Sequence, residues 1–363
     1  METLKVCLIG AGRMGQIRAK NLYSNPRAKI VYVAGGGDAG KELAKTYGGE
    51  HVSSFYEVDT SSINAVIICT GTSSHEELIT AAANAGLAVF CEKPVDAEPE
   101  VIEKLFNLCA SKNVPLCCSF QRRFDNTYVS AQKSIAAGDI GTPTFARVFF
   151  ADHPCPSIEF LKTGGDPFMD LAPHDVDFVR WCLGSDPIEI HGTGSSSDPE
   201  LSKEGVLDTA MITMKFENGC LCNIFMSRAA TYGYDQRCEI FGTKGMISVE
   251  NEAENACVLS RSDGIKKAKH KYSFPQRFRE AFENEVNTFV ETVLDGTEWP
   301  VTKDDCIAAQ AISSTASKSS QAGKILQYVR PICAGAISNL NEPETESFEK
   351  TPGASRQVAA MSG

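Results

Sequence analysis

Leu4-Lys5-Val6-Cys7-Leu8-Ile9-Gly10-Ala11-Gly12-Arg13-Met14-Gly15 decides the fold of the first third of the chain. Residues 5–9 read as a short apolar strand that ends in glycines, and residues 13–24 carry a helical pattern directly behind them. The bare spacing Gly-x-Gly-x-x-Gly is weak evidence. Between a strand and a helix it is the fingerprint of a dinucleotide-binding turn. Gly10 permits the tight turn, Gly12 lets backbone approach a pyrophosphate, and Gly15 lets helix and strand pack closely. The helix N-terminus then offers free N–H groups and partial positive charge to phosphate.

Outward from that turn, strand and helix keep alternating. Residues 29–34 read as a strand and 41–47 as a helix. A strand at 65–69 precedes a helix from about 74 to 85, and 88–91, 99–110 and 116–119 repeat the alternation. Continuous apolar strands separated by helices mean a parallel sheet covered on both faces, a doubly wound Rossmann α/β fold. After about Gln121 the pattern changes. A helix through 128–137 leads to a strand around 144–150, a polar loop, and one amphipathic helix over 169–183. From 188 to 272 strands follow one another without helices, with turns at Asn218-Gly219 and Gly242-Thr243-Lys244-Gly245. That pattern predicts an α+β domain on a large, mainly antiparallel sheet. Helices near 278–294 and 303–322 close it. We therefore divide the chain into residues 1–121, 122–335 and a Glu/Pro/Ser/Thr-rich tail, 336–363, expected to be disordered.

Composition narrows the function. Asp and Glu number 46 against 35 Lys and Arg, a net charge of −11. A nucleic-acid binder normally presents a basic surface, and the one dense basic stretch, Lys266 to Lys271, reads as a solvated hairpin. No apolar run reaches the roughly 18 residues that span a bilayer. The N-terminus runs straight into a strand pattern, so a cytoplasmic protein is expected. The 14 cysteines include no Cys-x-x-Cys pair, and many sit in apolar runs. They read as small buried hydrophobes, with neither a metal nor a disulfide expected.

Three segments carry chemistry. Cys91-Glu92-Lys93-Pro94 closes a buried strand, on the side of the sheet where ligands bind. Asp170, His174 and Asp177 recur at i, i+4 and i+7, on one face near a helix start, with Pro173 suited to the first turn. Histidine is the side chain best able to take a hydroxyl proton near neutral pH. A carboxylate cap with a structural histidine is the plain alternative, and a metal site from His153, Asp170, His174 and Asp177 a further one. The loop Phe150-Ala151-Asp152-His153-Pro154-Cys155-Pro156 and the segment Gln121-Arg122-Arg123-Phe124 supply polar groups for several hydroxyls. One expected element is missing. The acid that usually follows the second strand, to bind ribose hydroxyls, is replaced by Gly35-Gly36-Gly37, which leaves NAD and NADP both open.

With these segments the sequence resembles the family of glucose–fructose oxidoreductase, inositol dehydrogenase and rhizopine-catabolism proteins (Gfo/Idh/MocA), over about residues 4–330. The pieces that carry the likeness are Gly10–Gly15, Cys69-Thr70-Gly71-Thr72 with His75, Glu92-Lys93-Pro94, and Asp170 with His174-Asp175 and Asp177. Asp152–Glu159 and Tyr232-Gly233-Tyr234-Asp235-Gln236-Arg237 resemble the myo-inositol 2-dehydrogenases within it. The resemblance implies Lys93, Asp170 and His174 as the catalytic set. It implies Arg13, Met14, Gly35, Thr70, Thr72, His75, Glu92 and Lys93, beside Gly10, Gly12 and Gly15, around the dinucleotide. It implies Arg123, His153, Asp177 and Tyr234 (or Tyr232) around a polyol or sugar, and a homodimer or homotetramer joined through the open face of the second sheet. The expected activity is NAD(P)-dependent oxidation of a secondary hydroxyl, as in an inositol 2-dehydrogenase. Another sugar dehydrogenase or reductase, or a non-catalytic dinucleotide-binding regulator, are the alternatives.

Overall fold

In a computed structural model, which describes residues 2–331, the chain builds two sheets in succession. The first comes from β1 (Leu4–Ile9), α1 (Arg13–Ser24), β2 (Ala28–Ala34), α2 (Gly37–Tyr47), β3 (Glu50–Val52), β4 (Ala65–Ile68), α3 (His75–Asn84), β5 (Ala88–Cys91), α4 (Pro99–Ser111) and β6 (Leu116–Cys118). Its six strands run in the order β3-β2-β1-β4-β5-β6, and every pairing is parallel. The order reverses between β1 and β4, so the crevice for a ligand opens beyond the C-terminal ends of these two strands. β4 and β5 are buried along their whole length, which is why their sequences read as unbroken apolar runs.

The second sheet follows α5 (Asn126–Ala136). Its elements are β7 (Pro143–Ala151), α6 (Ile158–Thr163), α7 (Ala172–Leu183), β8 (Pro187–Ser195), α8 (Pro199–Lys203), β9 (Thr209–Phe216), β10 (Leu221–Ser227), β11 (Asp235–Gly242) and β12 (Gly245–Val249). A small hairpin, β13 (Val258–Arg261) and β14 (Gly264–Lys267), then leads to α9 (Phe274–Arg277), α10 (Arg279–Asp295), α11 (Lys303–Ala322) and a closing edge strand β15 (Leu326–Gln327). Seven strands run β12-β11-β7-β10-β9-β8-β15. All neighbours are antiparallel except β7 and β10, so the sheet is mixed rather than uniform. Strand alternation gives it two different faces. Ala146, Val148, Ile212, Met214, Ile224 and Ile240 are buried on the inner face under α7 and α11. On the outer face Met211, Leu221, Phe241 and Met246 are exposed, and Phe149 stacks on Phe225 with centroids 4.6 Å apart.

Two expectations change. The amphipathic helix expected over 169–183 is interrupted: Pro167–Leu171 forms a π-helical turn, capped by Asp166, and the α-helix begins only at Ala172. A π-turn inserts an extra residue per turn and re-aims the side chain at that point, here Asp170. The helix expected from Lys41 starts at Gly37, because left-handed Gly36 (φ 75°) serves as its N-cap. The tail expected at 336–363, and residues 332–335 of the second domain, lie outside the described residues. Among the described residues no helix is long and apolar enough to cross a membrane.

Candidate active site

The glycine turn is built as the sequence anticipates. Gly10 has φ +95°, and a Cβ there would meet the Cys69 carbonyl oxygen at 2.9 Å. A Cβ on Gly15 would meet the Gly10 oxygen at 2.1 Å, so only glycine lets α1 lie this close to β1. Gly12 caps α1 without a side-chain hydrogen bond and faces open space. A backbone cradle with unclaimed N–H groups is what a pyrophosphate requires. The residues present therefore fit a dinucleotide. Gly35, Gly36 and Gly37 all have positive φ, and Asp38 turns outward to pair with Lys41 at 2.8 Å. No carboxylate stands where ribose hydroxyls are usually held.

From this cradle a cavity of about 470 Å³ runs between the two sheets. At the dinucleotide end Arg13, Met14, Thr70 and Glu92 line it, and at the far end Lys93, Gln121, Asp152, Asp170, His174, Arg228 and Tyr234. The Lys93 ammonium donates to the Asp170 backbone oxygen at 2.6 Å and to Asp170 Oδ1 at 2.7 Å. An ammonium has three donors, so one N–H remains for a ligand. The second Asp170 oxygen accepts from Arg228 Nη2. Arg228 is itself buried, donates from Nε to the Gly165 carbonyl at 2.9 Å, and lies 3.4 Å from Asp152. Burial opposes ionisation of Asp170, but the adjacent Lys93 and Arg228 overcome it and hold its pKa well below the usual carboxylate range. The same cations favour the neutral form of His174: burial, then the positive charges of Lys93 and Arg122, hold its pKa well below that of an ordinary histidine. The imidazole is neutral near pH 7. Its Nδ1 is buried without a hydrogen-bond partner among the described residues, so Nε2 is the nitrogen left to face the cavity. The Gln121 amide and the Tyr234 hydroxyl face the same space with no partner among the described residues.

Thus Lys93, Asp170 and His174 come together from the segment after β5, the π-turn and α7, and Asp170 orients Lys93 rather than His174. Several other expected residues do not reach the cavity. Arg123 and Asp177 hold each other: Arg123 Nη2 and Nε reach the two Asp177 oxygens at 2.7 and 3.0 Å, and Arg123 also bonds the Pro300 carbonyl. Both are buried. Asp177 lies a turn deeper along α7 than His174, about 4.5 Å further from the helix start. Neither residue of this pair, expected near the substrate, lines the cavity. The His153 ring packs edge-on against Tyr272 at 4.9 Å, and its neighbour Asp152 faces the cavity instead. His75 is buried between the Pro94 and Thr70 carbonyls at 2.9 and 3.2 Å, where it braces two cavity segments from behind. Thr72 lies in the turn Thr72–Ser74 outside the lining. Tyr234, not the half-exposed Tyr232, is the tyrosine on the cavity wall. Among the described residues no three His, Cys, Asp or Glu side chains gather as a metal-ligand set.

Arg228 was not anticipated, yet its signal is in the sequence. Cys222, Ile224 and Met226 are the buried phase of β10, and Arg228 continues that phase. A charge on the inward phase of a strand needs partners, and here they are the site's carboxylates.

The chain matches the domain family described as "Oxidoreductase family, NAD-binding Rossmann fold" over residues 4–120, and the "GFO/IDH/MocA C-terminal domain" over residues 128–248. It is 33% identical to an inositol 2-dehydrogenase of Rhizobium meliloti, over 87% of this chain and 97% of that protein. It is 32% identical to a myo-inositol 2-dehydrogenase of Thermotoga maritima, over 87% and 96%. The crystal structure of scyllo-inositol dehydrogenase from Lactobacillus casei with bound NAD(H) and scyllo-inositol superimposes with a TM-score of 0.85 at 28% identity, covering 90% of this chain and 99% of that one.

Proposed function

We infer that this chain, which belongs to the GFO/IDH/MocA family of oxidoreductases, oxidises a secondary hydroxyl of a cyclic polyol and hands its hydride to a nicotinamide dinucleotide, with myo-inositol the first substrate to try. The observation that carries this reading is the Lys93–Asp170–Arg228 array beside a neutral His174, at the end of a cavity that begins at the dinucleotide cradle. Relatives that share most of the chain's length are named for inositol.

The residues divide the work as follows. Gly10, Gly12 and Gly15 bring backbone N–H groups to the pyrophosphate. The dinucleotide, when bound, would supply the hydride acceptor. His174 Nε2 takes the proton of the reacting hydroxyl, a role open to it because its ring is already uncharged. The free N–H of Lys93 donates to that oxygen and stabilises the negative charge that develops on it. Asp170, kept ionised by two cations, fixes the Lys93 ammonium in place. Gln121, Tyr234 and Asp152 offer both donors and acceptors to the remaining hydroxyls, as a neutral polyol requires. Lys93 and Arg228 are balanced by Asp170 and Asp152, so this end of the site presents no surplus charge to attract an anionic substrate.

The same reading keeps residues 1–121 as the dinucleotide-binding domain and residues 122–335 as the substrate domain, and places the protein in the cytoplasm. The exposed apolar outer face of the seven-stranded sheet supports a homodimer or homotetramer. Initial rates of NAD and NADP reduction with myo-inositol, measured in parallel, test it. Reduction is expected with at least one dinucleotide, and the ratio reports the effect of Gly35 standing where an acid is usual. A protein that binds dinucleotide but reduces neither with myo-inositol or scyllo-inositol would overturn the substrate.

A further inference from the structure

A second charge cluster lies behind the cavity, where α1, α10 and the ends of β5 and β6 meet. Arg18 is completely buried there. Its Nε donates to Glu92 Oε1 at 2.7 Å and its Nη1 to the Phe282 carbonyl at 3.2 Å. Its Nη2 donates both to Ser119 Oγ at 2.9 Å and to Glu285 Oε2 at 2.7 Å. The Ser119 hydroxyl donates in turn to Glu285 Oε1 at 2.8 Å, so the Glu285 carboxylate is held from both sides. The Arg18 guanidinium is also packed over the rings of Phe90 and Phe282, 4.6 and 5.1 Å from their centroids.

We propose that Arg18 and Glu285 are positioning residues for the dinucleotide end of the cavity, a clamp through which α10 sets the direction of the Glu92 carboxylate. The proposal rests on the dinucleotide reading above. Four acceptors on three segments of chain, two of them on α10, leave the guanidinium one orientation. That orientation takes Glu92 Oε1 and leaves Oε2 without a partner among the described residues, in a side chain that lines the cavity next to Lys93.

Stability alone does not account for this cluster. Two carboxylates share one guanidinium in a dry environment, and replacing such a group by apolar side chains is often neutral or stabilising. Burial opposes the charge on Glu285, Arg18 offsets only part of that, and Glu92 adds to it. What the charges provide is direction. Without Glu285, Arg18 Nη2 loses its strongest acceptor. The guanidinium is then free to take both Glu92 oxygens in the bidentate manner that arginine favours, and the carboxylate turns away from the cavity.

A double-mutant cycle on the full-length protein, read as the NADH dissociation constant by fluorescence titration, tests the clamp. Glu285→Gln and Glu92→Gln are each expected to weaken NADH binding about tenfold, within the range for residues sharing one network, and the double variant also only about tenfold. The melting temperature of Glu285→Gln without dinucleotide should not fall, and where myo-inositol is turned over its KM should hold while kcat drops. Unchanged NADH affinity in Glu285→Gln, or losses that multiply in the double variant, would overturn the proposal. If Glu285→Gln does not fold, Ser119→Ala decides. It should weaken NADH binding about threefold in the native background and not at all beside Glu92→Gln, again by the logic of shared partners. A loss in both backgrounds or in neither overturns the clamp. Failure of the native protein to oxidise myo-inositol would remove the substrate reading and leave this affinity cycle intact.

Discussion

At the dinucleotide end the cavity is made of backbone, and at the polyol end it is made of side chains. The first is local: Gly10, Gly12 and Gly15 lie within six residues, with Gly10 required by its positive φ and Gly15 by a close approach. The second is assembled across the chain. Lys93 follows β5 of the first sheet, Asp170 sits on a π-turn, His174 on α7, and Arg228 just past the end of β10. A backbone site tolerates almost any change outside its glycines. A side-chain site depends on every partner that fixes a charge. The contrast is open to direct attack, beginning where the effect should be greatest.

Lys93→Met should lower turnover about 10³-fold, the scale of losing a donor to a developing oxyanion, while NADH still binds. Stopped-flow turnover beside a fluorescence titration checks both halves, and parallel loss of binding would merge the two ends into one site. Gly15→Val attacks the other end. Its Cβ would stand 2.1 Å from the Gly10 oxygen, so α1 must shift. Overpacking of this kind costs about 1–3 kcal/mol, and dinucleotide affinity should fall with it, both visible in thermal unfolding with and without NADH. Arg228→Lys keeps the charge but cannot reach Asp170, Asp152 and the Gly165 carbonyl together. A loss of about tenfold in kcat is expected, with little change in NADH affinity.

The smallest effect is on pH. The folded His174 resists protonation, whereas the unfolded chain takes up that proton below about pH 6.5. Stability should therefore decline as pH falls through 6.5, by at most about 1.4 kcal/mol per pH unit from this residue. His174→Gln should flatten that slope in urea titrations across pH 5 to 7. An unchanged slope would mean that the imidazole is protonated in the folded protein.

The same contrast explains what the sequence disclosed. The glycine turn, the strand–helix alternation and α11 at residues 303–322 were legible because each is determined by neighbours in the chain. Lys93, Asp170 and His174 could be named, but not their connections. Nothing in the spacing of Asp170 and His174 announces a π-turn between Pro167 and Leu171, and nothing in a shared helix face shows that Asp177 is held by Arg123. Arg18, Arg228 and Glu285 share a signal that hydrophobic patterning records as noise, a charge on the buried phase of an otherwise apolar element. Arg18 stands with Gly15, Ala19 and Leu22, and Glu285 with Ala281, Phe282, Val286 and Phe289. Such a residue marks a tertiary partner without saying where the partner is.

The central claim is that the two ends meet in one hydride transfer. Its most direct test is oxidation of myo-inositol deuterated at every ring carbon, with the reduced dinucleotide analysed by mass spectrometry. The account predicts one deuterium in each reduced dinucleotide, and slower turnover wherever C–H cleavage limits the rate. Reduced dinucleotide without deuterium, or bound dinucleotide that is never reduced, would contradict it.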